Sequence, residues 1–214
     1  MGHADFWVDD AAHLLHLGGC TFPCNREIVA SARWKEYVLL LSADTDCLSL
    51  WDVEGLVRTT RVGVYPQDMD VLDETVYVCG GADGLLHLLS LPSLHVTTSL
   101  PLSGMPEKVC VHDGDAWILS LLPEPDVCTA LLRINLETGE TLELSRFAGI
   151  PGALAADDRG LWVGLSERAL RLPWETHVPD LIVEEIGLPA HFDVQPEGVI
   201  ITDALEVQQI FVRT

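Results

Sequence analysis

The sequence predicts an all-β fold, a five-bladed β-propeller with four-stranded blades, on three observations. Apolar, strand-like segments return at intervals of about 40 residues, the length of a four-stranded blade. Four of the five are led by a proline at a constant distance. Gly, Pro and Asp breaks recur too often to leave room for long helices.

The recurring segments are YVLLLSAD from Tyr37, VYVCGGAD from Val76, AWILSLLPEPD from Ala116, LWVGLSE from Leu161 and VIITDALE from Val199. Pro66, Pro106, Pro151 and Pro189 each stand ten residues before their segment, followed by the short strands DMDVL, KVCVH, ALAAD and HFDVQ. Proline suits a strand start, where its missing N–H removes no ladder hydrogen bond. Inner strands are therefore expected to start near residues 26, 66, 106, 151 and 189 of a single domain, 1–214. The first repeat lacks the proline and carries Arg26-Glu27-Ile28-Val29-Ala30-Ser31 in its place.

Each repeat divides into four strands. The second reads as 68–72, 76–80, 85–91 and 95–102, and the third as 108–112, 116–121, 129–135 and 141–147. Between the last two, Glu137-Thr138-Gly139-Glu140 is a polar turn, with glycine available for a positive φ. Runs such as LLHLLSL are apolar on both faces, as expected of sheets sandwiched between neighbours around an axis. The last repeat holds strands at 191–195, 199–202 and 207–212 and then lacks an outermost one. His13-Leu14-Leu15-His16-Leu17 is expected to fill that place and close the ring by joining the N- and C-terminal strands in one blade. Six blades are the alternative, because Phe6-Trp7-Val8-Asp9-Asp10-Ala11-Ala12 matches Val199-Ile200-Ile201-Thr202-Asp203-Ala204-Leu205 almost position for position. Against six, only eight residues, Gly18 to Asn25, precede the first inner strand, which is short for another outermost strand.

This pattern, with the turn Asn135-Leu136-Glu137-Thr138-Gly139-Glu140, resembles the broad propeller group that includes YVTN-type and quinoprotein-like repeats. The resemblance covers nearly the whole chain. Trp51-Asp52 superficially resembles a Trp-Asp repeat ending, whereas Leu91-Pro92 and Leu172-Pro173 take that place elsewhere. It implies architecture and no particular activity, since such propellers range from enzymes to scaffolds.

Lys and Arg total 12 against 33 Asp and Glu, a formal charge of -21. That field repels phosphate backbones, so no nucleic-acid partner is expected. Cations, basic protein surfaces and neutral polyhydroxylated ligands remain open. No apolar run approaches the roughly 20 residues needed to span a bilayer, so no membrane partner is expected either. The start MGHADFWVDD shows no basic stretch followed by a long apolar one, so no signal peptide is expected and a cytoplasmic location is. Cys79 and Cys110 fall in apolar segments and read as buried thiols. Cys20 and Cys24 lack the second matched pair that a zinc site usually needs.

Two sets of polar residues stand out. The turns between second and third strands are Asp44-Thr45-Asp46, Ala82-Asp83-Gly84, Glu124-Pro125-Asp126, Ser166-Glu167-Arg168 and Thr202-Asp203-Ala204, each with a carboxylate. They predict an acidic mouth in which Asp44, Asp83, Asp126, Glu167 and Asp203 bind, joined by Lys108 from an inner strand. On the inner strands, the second residues after the prolines are Asp68, Lys108, Ala153 and His191, and two positions on stand Asp70, Cys110, Ala155 and Asp193. Strand alternation puts both layers on one side, toward the channel. Asp68, Asp70 and Asp193, with His191 for proton transfer, are thus the catalytic candidates. The same residues have plain structural uses, since turn aspartates accept local backbone amides. Neither Ser42 nor Ser166 lies in a nucleophile elbow, and Asp44-Thr45-Asp46 is too short for a calcium loop. Trp117 and Trp162 hold related second-strand positions and are assigned to the core, whereas an exposed Trp7, Trp34, Trp51 or Trp174 would stack on a sugar or anchor a protein.

The functional expectation is a noncatalytic binding or scaffold propeller that recognises a protein or a small polar ligand at the acidic mouth. The alternative is a carboxylate- or metal-assisted hydrolase or lyase acting on carbohydrate, using a divalent cation. A purely structural assembly component is the third reading.

Overall fold

A computed structural model describes residues 5–123, 125–196, 198–204 and 209–213. Glu124 of the expected acidic turns, and residues 205–208, where the last strand was expected to begin, lie outside the described residues. Among the described residues the chain forms six antiparallel sheets and no helix, each sheet a meander in chain order. It divides into two compact units, Met1–Glu107 and Lys108–Thr214.

The first unit holds three sheets. The first comprises β1 (Phe6–Asp9), β2 (Leu14–Leu17) and β3 (Cys20–Pro23). The second comprises β4 (Ile28–Trp34), β5 (Tyr37–Ser42), β6 (Cys47–Asp52) and β7 (Gly55–Arg61). The third comprises β8 (Asp68–Leu72), β9 (Thr75–Cys79), β10 (Leu85–Ser90) and β11 (His95–Pro101).

The second unit repeats the scheme. Its fourth sheet comprises β12 (Met105–His112, whose first residues fall in the first unit), β13 (Asp115–Leu122), β14 (Cys128–Asn135) and β15 (Thr141–Ala148). The fifth comprises β16 (Pro151–Ala156), β17 (Gly160–Leu165), β18 (Arg168–Pro173) and β19 (Leu181–Glu184). The sixth comprises β20 (Pro189–Gln195), β21 (Gly198–Asp203) and β22 (Gln209–Arg213).

Six sheets replace the expected five. The difference lies in Gly18 to Asn25: Gly18 and Gly19 take positive φ of 58° and 84°, and the tight turn they form leaves Cys20–Pro23 free to pair with β2. Four residues suffice for an outer strand once the turn itself uses only two. The segment 13–17, expected to complete the last blade, instead pairs with β1 and β3, so that route to closure is overturned.

Burial grades across each sheet. All of Gly160–Leu165 in β17 is buried, whereas the outermost β15 is largely exposed. The second and third strands carry apolar residues on both faces because both faces are covered. Leu39, Leu41, Val76, Val78 and Leu89 join the second and third sheets in one cluster, and Leu119, Leu131, Leu161 and Val163 join the fourth and fifth. The turn after β14 forms as its sequence suggests: Asn135 Oδ1 accepts the Thr138 amide at 2.9 Å, and Gly139 takes φ 73°. Cys79 is buried as expected, Cys110 is only partly so, and all six cysteines are free thiols.

Candidate functional site

Each meander has two ends. At one lies the turn between second and third strands, where the acidic mouth is expected. At the other, the first strand turns into the second and the third into the fourth.

At the mouth end several carboxylates serve local structure. Asp44 is exposed and accepts the Ser42 hydroxyl, while its neighbour Asp46 accepts the Tyr65 amide at 2.8 Å and pairs with Arg61 at 2.9 Å. The Tyr65 amide and then the Arg61 guanidinium hold the Asp46 carboxyl below its ordinary range. Asp83 accepts the Leu85 amide at 3.0 Å and meets His87 Nε2 at 2.9 Å, and His87 Nδ1 meets the Ser99 hydroxyl at 2.9 Å. Asp203 is buried, and a Cβ on Gly187 would lie 2.9 Å from its Oδ2. Asp126 and Glu167 are exposed. In the second unit this end also carries an open hollow of about 750 Å³ beside Ser166, Glu167, Arg168, Glu184 and Glu185.

The inner-strand candidates divide between the units. Asp68 and Asp70 lie on β8, where Asp70 Oδ1 accepts the Val71 amide at 2.7 Å. Lys108 lies half-buried on β12. His191 and Asp193 lie exposed on β20, and Asp193 Oδ2 accepts from Gln195 Nε2 at 3.0 Å. Among the described residues no three His, Cys, Asp or Glu gather closely enough to hold a metal ion.

The richest assembly of polar and aromatic groups lies at the opposite end of the second unit. A cavity of about 360 Å³ opens between the fourth and fifth sheets. The fourth sheet contributes His112 from the end of β12, Asp113 from the β12–β13 turn, Asp115 and Trp117 from β13, and Arg133 from β14. The fifth adds Asp158 from the β16–β17 turn, with Trp174 and His177 from the β18–β19 loop. That loop is pinned by backbone and side chain: the Trp174 indole donates to the Asp157 carbonyl at 3.0 Å, and the His177 amide to the Pro173 carbonyl at 2.9 Å.

Rings and charges are ordered within the cavity. His112 stacks on Trp174 at 4.8 Å, His177 on Trp117 at 5.6 Å, and the Arg133 guanidinium lies 5.8 Å from the Trp117 ring. Asp115 is buried and neutralises Arg133 at 2.7 Å. Asp113 and Asp158 are exposed at the rim and make none of the ion pairs found among the described residues. Trp117 Nε1 and His177 Nε2 are buried without a hydrogen-bond partner. Such groups are rare in folded proteins and mark a place where something is left to be satisfied.

Burial, and then the Arg133 charge, pushes the His177 pKa below its ordinary 6.5. The unfolded chain takes up this proton near pH 6.5, whereas the folded chain resists it. Stability fully present above that pH is therefore lost as pH falls toward the lower folded value. Thermal unfolding between about pH 5.5 and 7.5 should show this slope, and His177→Gln should flatten it. A variant whose slope equals the wild type's would assign the pH dependence to other groups, of which His112, Asp113, Asp115 and Asp158 share the cavity.

No family model matches the chain, and no curated protein does. Solved structures do. A streptogramin B lyase structure matches with a TM-score of 0.73 at 13% identity, over 92% of this chain and 72% of that one. The WD40 β-propeller domain of Doa1 matches with a TM-score of 0.72 at 13% identity, over 100% of this chain and 80% of that one. The fold is a β-propeller. The computationally designed Ika8 protein matches at 0.66 and 16% identity, over 83% of this chain, which spans only 55% of its length. Identities this low carry the propeller architecture and nothing of its neighbours' activities.

Sequence reasoning passed over His112, Asp113, Asp115, Arg133, Asp158 and His177. Counting from the leading prolines would have exposed one of them, because the residue six after Pro151 is Asp157 whereas the residue six after Pro106 is His112.

Proposed function

We propose that this propeller is a noncatalytic binding domain that takes a small polar ligand into the cavity between its fourth and fifth sheets. The observation that carries the reading is the pair of partnerless buried atoms, Trp117 Nε1 and His177 Nε2, in a concave site of mixed aromatic and charged lining. A binding role is favoured over catalysis because the carboxylates first suited to acid–base work are occupied locally, Asp70 by the Val71 amide and Asp193 by Gln195. Within the second unit the seat lies at the end of the sheets opposite the acidic turns, where Asp203 is buried. The free thiols fit a reducing, cytoplasmic setting.

The test is a screen of a general fragment library against the isotope-labelled chain, read at the tryptophan indole N–H resonances. Binders are expected to move Trp117 and Trp174 and to lose affinity in Trp174→Ala. Binders that move only Trp34 and Trp51 of the first unit, or an absence of binders, would overturn the proposal.

A further inference from the structure

The fourth and fifth sheets share a local motif around a tryptophan and differ in what surrounds its indole N–H. In each, a tryptophan stands eleven residues after the leading proline, Trp117 after Pro106 and Trp162 after Pro151. Each is opposed on the third strand by an arginine, Arg133 or Arg171, whose guanidinium lies 5.8 Å or 5.9 Å from the ring. In the fifth sheet, Asp157 accepts the Trp162 indole N–H at 3.0 Å. The corresponding residue of the fourth sheet is His112, which turns instead to stack on Trp174 at 4.8 Å and 4°. The Trp117 indole N–H is left without an acceptor, in a residue that lines the cavity.

We infer that the place vacated by the carboxylate is an oxygen-acceptor subsite, and that the ligand filling it is a saccharide; this rests on the proposal that the cavity binds a small polar ligand. An indole N–H only donates, so the ligand must present an acceptor. A ligand carboxylate is disfavoured by the rim carboxylates Asp113 and Asp158, unpaired among the described residues, and by the chain's charge of -21. The rim carboxylates Asp113 and Asp158 only accept, so a ligand that also donates is favoured. A hydroxyl does both, and vicinal hydroxyls on one ring can meet the indole on one side and the rim on the other. The apolar C–H face of such a ring suits walls built from Trp174 and His112. A cavity of about 360 Å³ lies at the small end of the range for small-ligand sites.

The test uses the full chain with methyl β-glucopyranoside, methyl β-galactopyranoside and methyl α-mannopyranoside as probes, and acetamide and tetramethylammonium as competing chemistries. At least one glycoside is expected to shift the Trp117 indole resonance saturably. Trp117→Phe, which keeps a ring but removes the donor, should weaken it at least about tenfold, the worth of one good hydrogen bond, with binding now read at the Trp174 indole. His112→Asp supplies the acceptor found in the fifth sheet, so it should weaken the glycoside as much while leaving the thermal midpoint at or above the wild type's. The inference is overturned if no glycoside moves Trp117, if His112→Asp binds as well as wild type, or if acetamide or tetramethylammonium binds in preference. In each of those cases library fragments that still move Trp117 would leave the binding role standing, and their absence would remove both.

Discussion

Trp162→Ala is expected to lower the unfolding free energy by about 3–5 kcal/mol, the usual cost of emptying a buried aromatic site. Trp162 is fully buried, packs with Ala153, Ala169, Phe192, Val199 and Ile201, and so belongs to the contact between the fifth and sixth sheets. Its removal also strips Asp157 Oδ2 of the indole N–H it accepts at 3.0 Å. Urea unfolding measures the loss. Trp162→Phe separates the two parts, because it keeps most of the volume and should lose only about 1 kcal/mol for the missing hydrogen bond. A loss below 1 kcal/mol in the alanine variant would mean that the neighbouring side chains collapse into the space, contrary to the rigidity expected of sheets packed on both faces.

Asp83→Ala should cost about 1–3 kcal/mol through a different route, the stranding of buried polar groups. The carboxylate satisfies both the Leu85 amide and His87, and His87 is only 7% exposed. The fit around it is close: a Cβ on Gly80 would collide with the Asp83 carboxylate, so a side chain at position 80 would displace it. A double-mutant cycle between Asp83→Ala and His87→Phe isolates their interaction. A coupling indistinguishable from zero would show that the two groups touch without depending on one another.

The strands were legible by alternation, and in four of the repeats a proline at a fixed distance marked the second strand again. The inner strand expected at 68–72 is β8, Asp68–Leu72, and the segments led by Pro106, Pro151 and Pro189 form β13, β17 and β21. The blade count was not legible in the same way. Cys20–Pro23 has neither length nor alternation to announce a strand, and what makes it one is the Gly18-Gly19 turn together with a β2 edge to pair with. Legibility failed again at the cavity between the fourth and fifth sheets, for a related reason. Carboxylates in turns are conspicuous in a sequence, but whether they face a ligand or their own backbone is decided in three dimensions, as Asp83 and Asp46 illustrate. Conversely, Trp117 was rightly expected to be buried, and its pattern held no sign that its N–H would find no partner. That sign lay in His112, legible only against Asp157.

The exchange between these two positions has a wider implication. Aspartate and histidine codons differ by one base, so a single mutational step separates a tryptophan braced by its own sheet from one whose indole N–H has no partner. Repeated sheets allow one copy of a motif to lack an internal bond that another copy keeps. In such an architecture a polar group is released by omission, with no new element added.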